Sequence, residues 1–398
     1  MIKLRLRRNM IYLLALYGSY FIRKIVSIII DNIFELNAPF MFLYMMTLGE
    51  TFGGLAIYYY QLSNWKQKKE VKYFDLKIIH NQKFYAKTPD TNSKKILLMF
   101  FAGSFDFLEF ILIVFYVPKI AYISPTIKTR LGCLATITSA LICTFALKFK
   151  IGRHHKLSLI FLGICFLITL ILELIFKPDN EPMGRFIFAH FIVIIYLISI
   201  SFNDCIEKYL AHYNFLNPFV IIMTEGIFEF IMSIFYSIGN DPFKGMADQY
   251  EKNSPGKFVL LIFLLIIYLF LSAIVNAYKV YCNVIYTPMA RSLTEYFLNP
   301  LINIYYFLKE DDFHGNYFYF FICEFINIIM DFSFYIFNEY IILKCCGLEY
   351  DTGEEIIQRA KELDMDNIKP IKDNEDDDLD NINDDENNES NKDSNSIY

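Results

Sequence analysis

Apolar runs of about 20 residues recur along the first 345 positions, separated by polar stretches, and about 20 residues is what a helix needs to cross a hydrocarbon core. The runs are continuous and do not alternate in and out, so they predict helices and argue against a closed β-barrel. Ten spans are predicted, at 9–30, 39–62, 96–117, 122–147, 156–176, 185–204, 215–238, 257–280, 287–308 and 317–344. The first and fourth contain cations. The N-terminal "MIKLRLRR" precedes no small-residue cleavage site, so the first run reads as an uncleaved helix.

Polar segments orient the spans. Lys3, Arg5, Arg7 and Arg8, the lysine-rich loop within 63–95, and "KFKIGRHHK" are all basic. With ten helices they fall on one side, which the positive-inside rule makes cytosolic. The opposite loops, "KPDNEPMGR", "GNDPFKGMADQYEKNSPGK" and "KEDDFHGN", are mixed or acidic. An even count also puts the C-terminus in the cytosol. The body then divides into 1–176 and 177–348, two five-helix halves that an odd number makes inverted, as in many secondary transporters. "SPTIKTR" and "TPMARS" open the fourth and ninth spans with the same hydroxyl–Pro–cation order. The fold class expected is an all-α polytopic membrane protein, ten helices in a five-plus-five inverted repeat.

Charge changes the picture at the C-terminus. The formal net charge is −6, but from Glu349 onward acids exceed bases by 13, leaving the body at +7. The segment 349–398 is acidic and Asn-rich, and is expected to be a disordered cytosolic tail. The cysteines lack disulfide or zinc spacing. Cys345–Cys346 reads equally as a palmitoylation site or as two small residues ending a helix.

Ionisable residues inside a span cost about 2.5–3.5 kcal/mol each at the bilayer centre. The spans hold Glu50, Asp106, Glu109, Lys128, Arg130, Glu173, Glu225, Glu229, Arg291, Glu295, Glu324 and Asp331. Singly each is as readily a static interhelical pair; together they predict a polar pathway. Lys128 and Arg130 stand about 200° apart on a helix, so only one can face the interior. Arg130 is expected to be that one. Arg291–Glu295 and Glu225–Glu229 are four apart, and Asp106–Glu109 three apart, each pair on one helix face. No Walker phosphate loop, HExxH or nucleophile constellation is present, and the six histidines form no metal pattern. His154 and His155 read as part of a basic loop. Gly49, Gly53 and Gly54 are expected to allow close helix packing.

Several motifs, in order, resemble the nucleotide-sugar-transporter-like branch of the drug/metabolite transporter superfamily, in particular the F-type members of solute carrier family 35. They are Glu50 in "MTLGETF", Asp106 in "GSFDFLEF", Arg130 in "SPTIKTRLG", the series Glu207, Lys208, Pro218, Glu225 and Gly226, then Asn276, Arg291 and Glu295, and Asn338–Glu339. Ile127 and Leu298 depart from the family's Gln and Arg. The resemblance implies ten helices, the inverted repeat and a cavity open alternately to either side.

The function expected is secondary transport of a small polar organic solute, a nucleotide sugar or other organic anion among the candidates. Arg130, Arg291, Asn276 and Lys128 are the expected substrate contacts. Glu50, Asp106, Glu225 and Glu295 are expected in ion pairing, gating or proton coupling. No cofactor, no metal, no enzymatic activity and no nucleic acid are expected. The partners are the bilayer, the solute and, as one assembly, a second copy in a homodimer; the membrane expected is intracellular (Golgi, endoplasmic reticulum or lysosome-like). The alternative is a non-transporting membrane adaptor with a recruiting tail.

Overall fold

The structure, a computed structural model, describes residues 2–4, 10–34, 39–66, 90–120, 123, 125–147, 149, 151–176, 182–214, 216–238, 244–285, 288–293, 296, 299–308, 317–344 and 348–352. The lysine-rich loop between 67 and 89, Glu295, Cys345–Cys346 and the acidic tail from 353 lie outside these residues, and so do the expectations made for them.

The helices are α1 (Met10–Phe34), α2 (Pro39–Lys66), α3 (Asn92–Phe110), α4 (Val117–Ile120), α5 (Pro125–Leu131), α6 (Cys133–Phe145) and α7 (Arg153–Ile175). They continue with α8 (Met183–Tyr213), α9 (Pro218–Ser237), α10 (Lys244–Lys252), α11 (Pro255–Ile285), α12 (Pro288–Leu293), α13 (Asn299–Leu308) and α14 (Tyr317–Phe337). A π-helical turn, Ile111–Tyr116, joins α3 to α4. Seven stretches are long and apolar enough to cross a membrane: Phe40–Tyr59, Asn92–Ile120, Arg153–Ile175, Met183–Ala211, Pro218–Ser237, Pro255–Val280 and Tyr317–Phe337. Large apolar side chains such as Ile171, Phe263, Phe321 and Phe325 are exposed on these helices, as lipid-facing residues would be. The chain is an α-helical polytopic membrane protein.

The other three predicted spans depart from the uniform apolar helix. α1 carries Arg23, Lys24 and Asp31. The fourth is broken at Gly132, where α5 stops and α6 begins. There the Gly132 N–H bonds Thr129 O three residues back, and a Cβ would lie 2.8 Å from that oxygen. The ninth divides into α12 and α13. Pro125 and Pro288 open α5 and α12, the position where a missing N–H is cheapest.

Other boundaries also move. The sixth and eighth spans, expected to end at 204 and 280, run on to Tyr213 and Ile285. The tenth stops at Phe337, short of the expected 344, and α10 is an additional helix within an expected loop. Tyr340 N–H bonds Tyr335 O and Glu339 takes a left-handed φ of 57°, a cap that usually uses glycine. The chain then enters β2 (Ile341–Leu343), antiparallel to β1 (Ile2–Leu4), with Ile2 opposite Leu343. This small pairing is the exception to the all-helical expectation.

α2 packs against α9 and α11, α11 against α1, and α3 against α8 and α9. α7 packs against α14, and α6 against α7, α8 and α12. Glycines set the closest approaches. A Cβ on Gly49 or Gly53 would meet α11 at Leu269 O (2.7 Å) or Ala273 Cβ (2.9 Å). A Cβ on Gly54 would meet α9 at Phe219 O, 2.7 Å away. The packing role expected of these three glycines is what the structure gives them.

Candidate functional site

α2, α3, α8, α9 and α11 bring together six buried carboxyl groups: Glu50, Asp106, Asp204, Glu207, Glu225 and Glu229. Lys279 of α11 enters this group, its Nζ 3.2 Å from Asp106 Oδ1 and 3.8 Å from Glu207 Oε1. Asn276 donates to Glu50 Oε1. Asn283 donates through Nδ2 to Asp204 Oδ1 (3.1 Å) and to Glu207 Oε2. Asn276, Lys279 and Asn283 stand at i, i+3 and i+7, so one face of α11 carries the whole polar contact. Glu50, Glu207, Glu225 and Glu229 each feel the charge of Asp106 and of Lys279. Glycine makes this crowding possible: Gly226 of α9 lies on Glu50, and Gly103 of α3 lies against Glu225, whose carbonyl oxygen would be 2.9 Å from an added Cβ. Six acids in a low-dielectric interior cannot all stay ionised beside one ammonium, so the cluster is built to hold protons or another cation.

Arg130 belongs to a second network. It is 1% exposed, and its Nη2 lies 3.3 Å from Glu173 Oε1 and 3.5 Å from Tyr319 Oη. Its Nη1 bonds Asn303 Oδ1 at 3.3 Å, and Tyr319 Oη donates to Glu173 at 2.6 Å. The arginine thus ties α5 to α7, α13 and α14. A substrate anion that reached Arg130 would have to displace Glu173. Lys128 is half-buried, as its offset from Arg130 requires. Thr136 of α6 bonds Ser292 of α12 (2.8 Å) and Tyr296 (2.7 Å). Arg291 is one residue before Ser292 on α12; its side chain lies outside the described residues.

The structure therefore brings Glu50, Asp106, Glu225 and Asn276 into one cluster and puts Arg130 in another. Sequence reasoning missed Asp204, Lys279 and Asn283 as site residues, and had Glu207 only through the family resemblance. The available signal was spacing: Asp204–Glu207 and Asn276–Lys279–Asn283 keep helical period past the ends of the apolar runs.

His154 and His155 are not loop decoration. They occupy the first turn of α7, where His155 Nδ1 accepts the Gly152 N–H (3.1 Å). His154 Nε2 lies 2.9 Å from Glu339 Oε1, and both side chains are buried. Imidazole and carboxylate atoms of His154, His155 and Glu339 come within 4.8 Å of one another, close enough for a metal ion. Capping already occupies Nδ1 of His155, so the primary role of this trio is to tie α7 to the end of α14.

A scan against protein-family models and a search of curated proteins find no match to this chain.

Proposed function

We propose that this chain is a secondary transporter that carries a small polar organic solute by alternating access. The observation that carries the reading is the buried cluster of Glu50, Asp106, Glu207, Glu225, Glu229 and Lys279, at the crossing of five helices. A bundle that needed only cohesion would be better served by apolar residues of the same volume, since buried ion pairs rarely repay their desolvation. Intramembrane ionisable groups of this density mark solute and ion pathways.

The packing supports the five-plus-five inverted repeat expected from the motif series. Counting α3 to α4, α5–α6 and α12–α13 as single segments, and leaving out the short polar α10, gives ten. Relating each segment to the one five places later maps α2 onto α9, α5–α6 onto α12–α13 and α7 onto α14, and in each case the two pack against each other. The same relation exchanges α2–α11 for α9–α3, and α1–α11 for α8–α3, which also pack. Gly54 pressed on α9 and Gly226 pressed on α2 are reciprocal contacts of one such pair. On this reading Asp106 and Lys279 form a central coupling pair. Arg130–Glu173 is a gate that opens when solute or a proton competes for one partner, and residues 1–176 and 177–348 are the moving halves.

The adaptor reading draws on the same Arg130–Glu173 pair, taken as permanently closed. Purified protein in vesicles preloaded with a metabolite panel separates the two. The transporter reading expects counterflow of at least one solute, abolished by Asp106→Asn. No counterflow of any solute by the folded parent, with Asp106→Asn less stable than the parent, favours the adaptor.

A further inference from the structure

Resting on the transporter reading, we propose that the solute taken at the central cluster is an organic cation: an amine, a guanidinium or a quaternary ammonium compound. An organic anion is among the solutes expected from the sequence, and the described interior is charged the other way. Its six carboxyl groups face one ammonium, Lys279, which is already engaged with Asp106 and Glu207. Arg130, the cation expected to anchor an anion, is engaged by Glu173. A phosphate or carboxylate entering here would meet like charge at low dielectric, where repulsion is strongest. A cation would relieve it.

Neutral oxygens in the same place point to a ligand. Asn283 is fully buried and uses its Nδ2 on two of the acids, while its Oδ1 has no hydrogen-bond partner among the described residues. The same holds for Ser272 Oγ, fully buried on α11 beside Gly49. Buried acceptors of this kind are normally satisfied. An N–H-bearing or quaternary cation supplies what they lack, hydrogen bonds or charge.

Aromatic rings stand farther along the same helix face. Tyr236 lies on the α9 face that carries Glu225 and Glu229, at i+11 and i+7. Its ring packs 5.6 Å from Phe115 and 5.8 Å from Phe107, and Phe40 closes the group at 4.7 Å from Phe115. The π turn, which carries Phe115, re-aims that part of the third segment, as such turns do at functional sites. Carboxylates and aromatic faces are the groups that recognise ammonium, and one face of α9 carries both.

The test uses the full chain in proteoliposomes, with labelled tetraethylammonium and labelled UDP-glucose as probes and agmatine as competitor. Saturable tetraethylammonium counterflow, competed by agmatine and unaffected by UDP-glucose, is expected. Glu229→Gln should abolish it. Tyr236→Leu should weaken tetraethylammonium about tenfold, and Tyr236→Phe should preserve it. If Glu229→Gln fails to fold, the Tyr236 pair decides: equal affinity in Tyr236→Leu and Tyr236→Phe overturns the proposal. UDP-glucose counterflow without tetraethylammonium counterflow overturns the cation assignment and leaves the transporter reading standing. Counterflow of neither, nor of any solute in the metabolite panel, overturns both.

Discussion

Gly226 of α9 rests directly on Glu50 of α2: a Cβ on Gly226 would lie 2.9 Å from the Glu50 Cβ and 2.8 Å from Thr51 Oγ1. That contact presses the two central helices together at the level of the acidic cluster. Gly226→Val must push the helices apart, at a cost of about 1–3 kcal/mol. Gly163 of α7 has nothing within 4 Å of its would-be Cβ, so Gly163→Ala should leave stability unchanged or slightly raised. Thermal unfolding of both variants in detergent checks the contrast.

Lys279 balances Asp106 and Glu207 at the centre. Removing it as Lys279→Met should destabilise the protein by about 3–5 kcal/mol, the range for one partner left uncompensated. Lys279→Met with Asp106→Asn should recover part of that loss, since two of the buried charges then go together. A double-mutant cycle by chemical unfolding measures it; no recovery would mean the pair is not coupled as its 3.2 Å contact indicates.

Tyr319 donates to Glu173 at 2.6 Å and so holds the acceptor of Arg130 in place. Tyr319→Phe keeps the ring stacked on Phe176 and removes only the hydroxyl. The expected loss is about 1.5–3 kcal/mol, the range for a hydrogen bond to a charged group. On the gate reading the same variant should also speed exchange, because the closed pair is weakened. Unfolding and initial rates, taken on one preparation, test both.

Asp90 fastens the start of α3 to the end of α8, outside the membrane. Its carboxylate accepts from Lys94 Nζ (2.9 Å), Tyr209 Oη (2.7 Å) and Asn214 Nδ2 (3.3 Å). These hydrogen bonds, Lys94 first, lower its pKa from 3.8 to about 2. A depressed carboxylate contributes stability fully above its unfolded value, and the contribution is lost as pH falls through the folded one. The difference in unfolding temperature between the parent and Asp90→Ala should hold above about pH 5 and shrink progressively toward about pH 1. A difference that persists at the acid end would contradict the assignment.

The polytopic helical class was legible because lipid demands long apolar runs, and seven of the ten predicted spans contain a helix long and apolar enough to cross. The central cluster was half legible. Glu50, Asp106 and Glu225 interrupt apolar sequence and so stand out. Asp204 and Lys279 fall at the very ends of their predicted spans and Asn283 beyond, where charge is expected at the membrane edge, although α8 and α11 continue through them. The break at Gly132 depends on one backbone turn, and glycine is common inside membrane helices without breaking them. Glu339 takes the left-handed φ that local sequence would assign to glycine. Its buried contact with His154, on a helix far away in sequence, accompanies that conformation and could not be read locally.

Two-sided accessibility at the cluster tests the account most directly. Ser233 lies on α9 one turn beyond Glu229 and is fully buried, its hydroxyl bonded to Glu229 O. In a background without the native cysteines, Ser233→Cys in sealed proteoliposomes should react with an impermeant maleimide added to either side, in turn. Solute trapped on one side should shift the reaction toward the other. Reaction from one side only, or from neither, whatever solute is present, would contradict alternating access through this cluster.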